Sequence, residues 1–222
     1  MSPVLPIRIP IPAAFHSDET EQPFQECLVC ERSLHDGSTE YLVEKAYRRF
    51  DEFDVTETVF EYAICLSCHL EIVESFSELS RTRCEAYFDD HVDLSERAAR
   101  LLSTQDEPRE EAAPEEPSGP SDRPRLLHAT PDPDDIDLND WLDGCIVHGT
   151  PMEDLSEFQI LGHCAGDQLM LSHLPVAIGG RAMDELAERL SNETLDELGG
   201  FRDEYFGLPP ELKRDLSGPV FA

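Results

Sequence analysis

Positive charge is what this sequence has least of. Among 222 residues, 17 are Lys or Arg and 48 are Asp or Glu, which gives a formal net charge of -31. The only lysines are Lys45 and Lys213. Contacts to phosphate require clustered Lys and Arg, so this composition argues against a nucleic-acid-binding surface and against binding to anionic membranes. A charge of this size also keeps a chain in solution and apart from other acidic molecules.

Long apolar runs are also missing. No stretch approaches the roughly 18 consecutive apolar residues of a membrane helix. The first 15 residues contain four prolines and no continuous apolar core of the kind a signal peptide needs. The seven cysteines are an odd number, and four of them have metal-ligand spacing, which fits a reducing compartment better than a disulfide framework. We therefore expect a cytoplasmic protein.

The common catalytic motifs are absent as well. The sequence has no nucleophile elbow, no Gly-rich loop that could cradle a phosphate, and no H-E-x-x-H helix. No small-molecule substrate is evident from these patterns. We therefore expect a protein that is not an enzyme.

Two C-x-x-C pairs are the most informative feature present. Cys27 and Cys30 form the first pair, and Cys65 and Cys68 form the second after 34 intervening residues. Each pair can turn both sulfurs to one side, and two pairs complete a tetrahedral site, most often for Zn²⁺. A rubredoxin-like iron site is the alternative, although these pairs lack the Pro and Gly typical of it. A site closed by four cysteines is usually structural, because catalytic zinc keeps an open position.

The residues around the pairs predict a small module. Residues 40–50 and 58–64 favour two strands joined by an acidic turn, and the period changes to helical from Cys68 to Tyr87. The order of knuckle, hairpin, second cysteine pair and helix resembles the treble-clef class of zinc fingers. The resemblance covers about 60 residues and implies only the four cysteine ligands. Residues 40–64 contain no His, so the resemblance does not extend to the His-Asn-His nucleases of that class. The chain also resembles bacterial zinc-finger-like proteins, which implies no activity.

The predicted fold class is α+β, in two halves. Residues 1–23 are expected to be a disordered Pro-rich arm, and residues 24–102 the zinc-binding module, including a short helix at 93–102. In residues 103–135, seven are Pro and ten are acidic, which predicts a disordered linker. Residues 136–222 form a second α+β half. Within it we predict a short helix at 136–142, strands at 158–164 and 168–177, and helices at 181–190 and 194–205.

The second half looks like a degenerate repeat of the first. The letters C-L-V-C at Cys27 match C-I-V-H at Cys145, and E-Y-L-V at Glu40 matches E-F-Q-I at Glu157. A third match aligns residues 77–80 with 188–191 and sets Cys65 and Cys68 opposite Val176 and Gly179. The hypothesis requires a knuckle at Cys145 and a helix after Gly180. A second metal half-site would then be built from Cys145, His148, His163 and Cys164; otherwise these are ordinary packed residues.

The leading functional hypothesis is a non-catalytic, zinc-stabilised scaffold or adaptor that binds another protein, whose identity the sequence leaves open. The faces of the predicted hairpin and the apolar N-terminal arm are the expected contact surfaces. One alternative is a thiol redox or metal-sensing protein that uses the C-x-x-C pairs. The other is a weak nucleic-acid-binding regulator that uses Arg48, Arg49, Arg81 and Arg83. Lys45 belongs to the same basic group. The other interpretation of this group is that its residues form ion pairs with neighbouring acidic residues and bind no partner.

Overall fold

The computed structural model describes residues 7–94, 96–97 and 136–207. The linker predicted at 103–135 and most of the helix predicted at 93–102 lie outside the described residues. The described residues form an α+β fold with one antiparallel sheet of six strands and four α-helices.

The sheet draws strands from both halves of the chain. Its order is β1-β5-β4-β2-β3, and β6 pairs with β4 beside β5. The strands are β1 (Ile7–Pro10), β2 (Glu40–Phe50), β3 (Val55–Cys65), β4 (Glu157–Ala165), β5 (Gln168–Leu171) and β6 (Val176–Gly179). The strands predicted at 40–50 and 158–164 are therefore confirmed. The strand predicted at 168–177 is divided into β5 and β6.

The helices follow the strands in each half. They are α1 (Leu66–Ser75), α2 (Glu78–His91), α3 (Gly180–Ala187) and α4 (Asn192–Tyr205). The single helix predicted from Cys68 to Tyr87 is wrong, because Ser77 starts a new helix by accepting a hydrogen bond from the Ser80 amide at 3.2 Å. Such an N-cap satisfies an amide that has no partner within the helix. The segment predicted as a helix at 136–142 contains a 3-10 turn, Leu138–Asp140.

The centre of the sheet is the pairing of β2 with β4. Tyr41 lies opposite Cys164, Glu44 opposite Leu161 and Tyr47 opposite Phe158. β2 is therefore paired along both edges, with β3 on one side and β4 on the other. The division into a separate module and a separate second half is wrong for this reason: the two halves share one sheet and one core cluster.

The N-terminal segment is folded where disorder was predicted, so that prediction is wrong over residues 7–23. β1 pairs with β5 through four residues, with Ile9 opposite Leu169. Proline is tolerated on an edge strand, which is where β1 lies. Phe15 follows in a 3-10 turn and has no exposed surface. It fits against Gly162, where an added Cβ would lie 2.7 Å from the Phe15 ring.

Lys45 of β2 binds the N-terminal segment to the sheet. Its side chain is 1% exposed and its ammonium lies 2.5 Å from Asp18 and 2.9 Å from Glu61. It also donates to the carbonyl oxygen of His16 at 2.7 Å. A buried ammonium needs charge partners and acceptors, and the N-terminal segment supplies two of the three.

An approximate two-fold axis relates the two halves. Because Glu40 matches Glu157 in the repeat, Arg48 matches Ala165. The ladder between β2 and β4 pairs Glu40 with Ala165 and Arg48 with Glu157, so exchanging the two strands reproduces the same pairs. The helix starts show the same reciprocity. The Ser77 amide donates to the Thr194 hydroxyl at 3.1 Å, and the Ser191 amide donates to the Ser80 hydroxyl at 2.8 Å. Contacts exchanged in this way are what two-fold symmetry produces.

Candidate metal centre

The first turn, Cys27–Glu31, carries the first cysteine pair to the end of β3. The Cys27 amide donates to the carbonyl oxygen of Arg32, and the Glu31 amide donates back to that of Cys27, both at 2.9 Å. Glu31 has a positive φ of 56°, which closes the turn. The Leu28 amide then donates to the Ala63 carbonyl oxygen at 2.9 Å, so the turn is bonded directly to β3.

The second pair lies where β3 becomes α1. Cys65 is the N-cap of α1 and has an extended backbone, with φ −62° and ψ 148°. Its amide points at the sulfur of Cys27, with N and Sγ 3.3 Å apart. The partial positive charge of a helix N-terminus favours thiolates at this position.

These two elements bring four sulfurs together. The Sγ atoms of Cys27, Cys30, Cys65 and Cys68 all lie within 4.8 Å of one another. The Cys30 and Cys65 sulfurs are 3.8 Å apart, and Zn–S bonds of about 2.3 Å in a tetrahedron place neighbouring sulfurs about 3.8 Å apart. Cys30 is exposed, whereas the other three are buried. The predicted cluster is therefore present with spacing that fits a metal ion.

The thiols of the cluster have unlike proton affinities. Burial acts to raise the pKa of Cys65, but hydrogen bonds from the Ser67 hydroxyl and the Cys68 amide outweigh it and lower the pKa to about 6. Burial and the neighbouring Cys65 thiol raise the pKa of Cys68 above its usual range. Ser67 was missed by the sequence argument, although its place inside C-L-S-C was a signal for it.

The second turn, Cys145–Gly149, repeats the hydrogen bonds of the first. The Cys145 amide donates to Thr150 at 2.8 Å, and the Gly149 amide donates to Cys145 at 2.7 Å. The Ile146 amide donates to Ala177 of β6 at 2.8 Å. The Gly179 amide points at the Cys145 sulfur at 3.2 Å, as that of Cys65 does at Cys27.

This repetition corrects the alignment of the two halves. The structure places Gly179 where the first half has Cys65, since each is the N-cap of the following helix and points its amide at the turn cysteine. Ala182 therefore stands at the position of Cys68. The alignment inferred from the letters, with Val176 and Gly179 opposite the cysteines, was wrong by three residues. The required knuckle at Cys145 and the helix after Gly180 are both present.

The alternative second metal half-site is not assembled. Within the described part of the chain, only the cluster of Cys27, Cys30, Cys65 and Cys68 brings three or more potential ligands together. His163 instead lies 3.1 Å from Glu40, and Cys164 is buried next to Tyr41. They are consecutive residues of β4, so their side chains point to opposite faces of the sheet.

His148 lies beside Glu185 at the position where the second half could have held metal. His148 Nε2 is 3.3 Å from Glu185 Oε2. Glu185 also accepts from Tyr87 at 2.8 Å and from Arg181 at 3.0 Å. The Tyr87 hydrogen bond is the main reason why the pKa of Glu185 is lowered. Glu185 was missed by sequence reasoning, because no spacing rule connects it to the second turn.

Three residues of the predicted basic group have partners elsewhere in the chain, whereas Arg81 and Arg83 are exposed on α2. Lys45 is buried with Asp18 and Glu61. Arg48 pairs with Glu157 at 2.9 Å. Arg49 donates to the carbonyl oxygens of Met152 and Glu153 at 3.0 and 2.6 Å. Residues of the second half and of the N-terminal segment therefore pair with these three side chains.

An apolar group is exposed at the end of the hairpin formed by β2 and β3. Phe53 is 73% exposed, and Val55, Val59 and Phe50 are 50%, 48% and 38% exposed. We call these four residues the hairpin tip. Around them lie exposed acidic residues of the same hairpin, namely Asp51, Glu52, Asp54 and Glu57.

No family model, curated protein or solved structure matches this chain. The helices of the described residues are also too short or too polar to cross a lipid bilayer. Sequence, geometry and chemistry are therefore the grounds for assigning a function.

Proposed function

We propose that the protein is a non-catalytic scaffold, stabilised by Zn²⁺, that binds another protein. The observation that carries the proposal is the convergence of four cysteine sulfurs within 4.8 Å. Cys27, Cys30, Cys65 and Cys68 would hold the ion in a treble-clef-like arrangement, since the first turn, the hairpin and α1 occur in that order. Four thiolates suit zinc and leave no open position for a substrate.

The residues present fit such an ion. The sulfurs of Cys30 and Cys65 have the separation expected of two zinc ligands, and the amide of Cys65 supports the sulfur of Cys27. Zinc would tie the first turn to the start of α1 and so contribute folding free energy. Retention of four thiolates requires a reducing compartment, and we propose the cytoplasm.

The hairpin tip supports the protein-binding part of the proposal. Four large apolar side chains exposed on one hairpin are more than the isolated exposed residues that monomers usually carry. In the described part of the N-terminal arm, the other surface expected from sequence, Ile9 and Ile11 are buried and therefore not available to a partner.

Metal analysis tests the first part. Protein purified without chelator or added metal should contain one zinc per chain, and the four clustered thiols should resist thiol reagents until the zinc is removed. A metal-free protein that keeps its native near-UV spectrum with reactive thiols would contradict a structural zinc site.

Photo-crosslinking tests the second part. A benzoylphenylalanine introduced at Phe53 should capture a specific protein in cells that express the chain. The same group at Glu85, an exposed position on α2, should not capture that protein. Equal capture at both positions would contradict the assignment of the hairpin tip.

A thiol redox or metal-sensing function is the second candidate. It is favoured by the exposure of Cys30 and by the 3.8 Å between the Cys30 and Cys65 sulfurs. A two-electron oxidant such as hydrogen peroxide could join these thiolates in a disulfide while it is itself reduced to water, and zinc would then be released. Zinc release that follows peroxide addition and is reversed by dithiothreitol would favour this candidate. Retention of zinc under peroxide would exclude it.

A further inference from the structure

β3 forms one edge of the sheet. Its inner end is covered, because Leu28 of the first turn bonds to Ala63. Its outer end is different: within the described residues, the backbone of 55–61 pairs only with β2. Residues 55–57 and Val59 are exposed. An unpaired, exposed strand edge can accept another strand through main-chain hydrogen bonds.

The second half of the molecule shows how the equivalent edge is filled. Under the two-fold relation, Arg48 corresponds to Ala165. Arg48 lies opposite Glu57, and Ala165 lies opposite Gln168, so Glu57 corresponds to Gln168 of β5. β5 is covered on its outer side by β1, which pairs with it through four residues in antiparallel register. The matching edge of β3 lacks such a strand among the described residues.

The outer part of the open edge, residues 55–58, is as long as β1, which has four residues. A bulge interrupts the ladder between Ala46 and Tyr47. On its outer side, residues 55–58 pair regularly with 50–47. These four positions equal the four pairings that β1 makes with β5. Bulges and charges can protect an edge against pairing, but this bulge lies inward of residues 55–58 and leaves their four pairings regular.

The chemistry of the edge selects the strand it would accept. The hairpin tip offers apolar contacts, and Asp51, Glu52, Asp54 and Glu57 surround it with carboxylates. An added strand that alternates apolar and basic residues would bring both kinds of side chain to this acidic and apolar end of the hairpin, since successive residues of a strand point to opposite faces. β1 itself reads Ile7-Arg8-Ile9, which is this alternation.

We propose that residues 55–58 of β3 bind an extended segment of a partner protein, with alternating apolar and basic residues, by strand addition. This inference rests on the proposed scaffold function and names its surface and the chemistry of its partner. The partner strand would lie along the outer side of β3 as β1 lies along β5, and two of the four residues that it would cover, Glu57 and Thr58, are the counterparts of Gln168 and Leu169.

The test uses a fluorescein-labelled synthetic decapeptide of alternating isoleucine and arginine, added to the full-length, zinc-loaded protein. Fluorescence anisotropy at physiological salt measures binding, and hydrogen exchange locates it. We expect saturable binding with slowed exchange at residues 55–58. The same peptide with N-methyl groups on alternate amides keeps its charge but loses main-chain donors, and should bind at least about tenfold more weakly.

Matched charge reversals locate the electrostatic contribution. Asp54→Lys with Glu57→Lys should weaken binding by about tenfold or more. Glu85→Lys with Asp89→Lys, on the exposed side of α2, changes the net charge equally and should leave binding within about twofold. Circular dichroism confirms that each variant is folded.

Several outcomes would overturn the inference. Equal binding of the N-methylated peptide would show that charge alone attracts the probe. Protection outside residues 55–58, or equal loss in both charge-reversal variants, would place the peptide elsewhere. A concentration-dependent dimer without peptide, abolished by Asp54→Lys with Glu57→Lys, would assign the edge to a second copy of the chain. Zinc content is measured on the same sample. A protein that contains zinc but does not bind the peptide would contradict the proposed strand addition and leave the proposed zinc site intact.

Discussion

The repeated turns give the proposed zinc site an internal control. Cys27 and Cys145 occupy equivalent positions, and both sulfurs face a backbone amide, at 3.3 and 3.2 Å. Both side chains are buried, with 1% and 2% exposure. They differ in that Cys27 belongs to the four-sulfur cluster and Cys145 does not. The substitutions Cys27→Ser and Cys145→Ser therefore make the same chemical change with and without a metal neighbour.

The magnitudes follow from that difference. Replacing a buried thiol by a hydroxyl should cost about 1–2 kcal/mol at either position. Structural zinc contributes on the order of 10 kcal/mol in small domains. Shared among four thiolates, this predicts an additional loss of at least about 2–3 kcal/mol for Cys27→Ser, and more if the remaining three release the ion.

Urea unfolding measures both effects. Trp141, the single tryptophan, is 1% exposed and reports unfolding by fluorescence, with far-UV circular dichroism as the second probe. With zinc bound, Cys27→Ser should be clearly less stable than Cys145→Ser. In a chelator, the two losses should become equal because the zinc contribution is gone. Equal losses in the zinc-loaded protein would refute a structural metal at the first turn.

Three further predictions concern the N-terminal segment and the sheet. Lys45→Met should lower the free energy of unfolding by about 2–4 kcal/mol, because it leaves Asp18 and Glu61 without their ammonium partner. Hydrogen exchange should then become faster over residues 7–18. Unchanged exchange would show that other contacts hold the segment. Burial raises the pKa of Glu44 from the ordinary 4.5 to about 7 despite a hydrogen bond from Tyr62. The folded protein therefore binds this proton more tightly than the unfolded chain, and the resulting stability is complete below pH 4.5 and is lost as the pH rises through 7. The always neutral Glu44→Gln should therefore equal the parent near pH 4 and exceed it by about 1–3 kcal/mol at pH 8, and a pH-independent difference in urea midpoints would contradict this. Gly162→Ala should cost about 1–3 kcal/mol, because the new Cβ would meet the Phe15 ring; an unchanged urea midpoint would mean that the ring moves freely.

Local signals accounted for much of the candidate metal centre. The two C-x-x-C pairs are short-range patterns, and each pair fixes its own geometry through a turn or a helix start. Convergence of the pairs needed only one hairpin between them, and the aromatic and β-branched residues of 40–50 predicted its first strand. The repeat was also visible in C-L-V-C and C-I-V-H, because a turn is held by hydrogen bonds among neighbouring residues.

The alignment of the repeat was not accessible in this way. Short matches tolerate a shift of three residues, and no local energy distinguishes Ser77 opposite Ser191 from Ser80 opposite Ser191. The hydroxyls of these helix starts bond across the two-fold axis, so only packing fixes the alignment. The same holds for His148 and Glu185, which meet because the second turn lies beside α3.

By itself, the sequence determined the four-cysteine cluster, the two central strands of the sheet, β2 and β4, and the turns around them. These features depend on residues close together in the chain. Tertiary structure alone decided that β2 pairs with β4, that residues 7–23 join the sheet, and that His163 and Cys164 do not meet Cys145. The reason is distance along the chain. Lys45 and Asp18, or Phe15 and Gly162, find each other only once the sheet exists, and the preference of each segment alone for strand, turn or disorder contains no information about that partner.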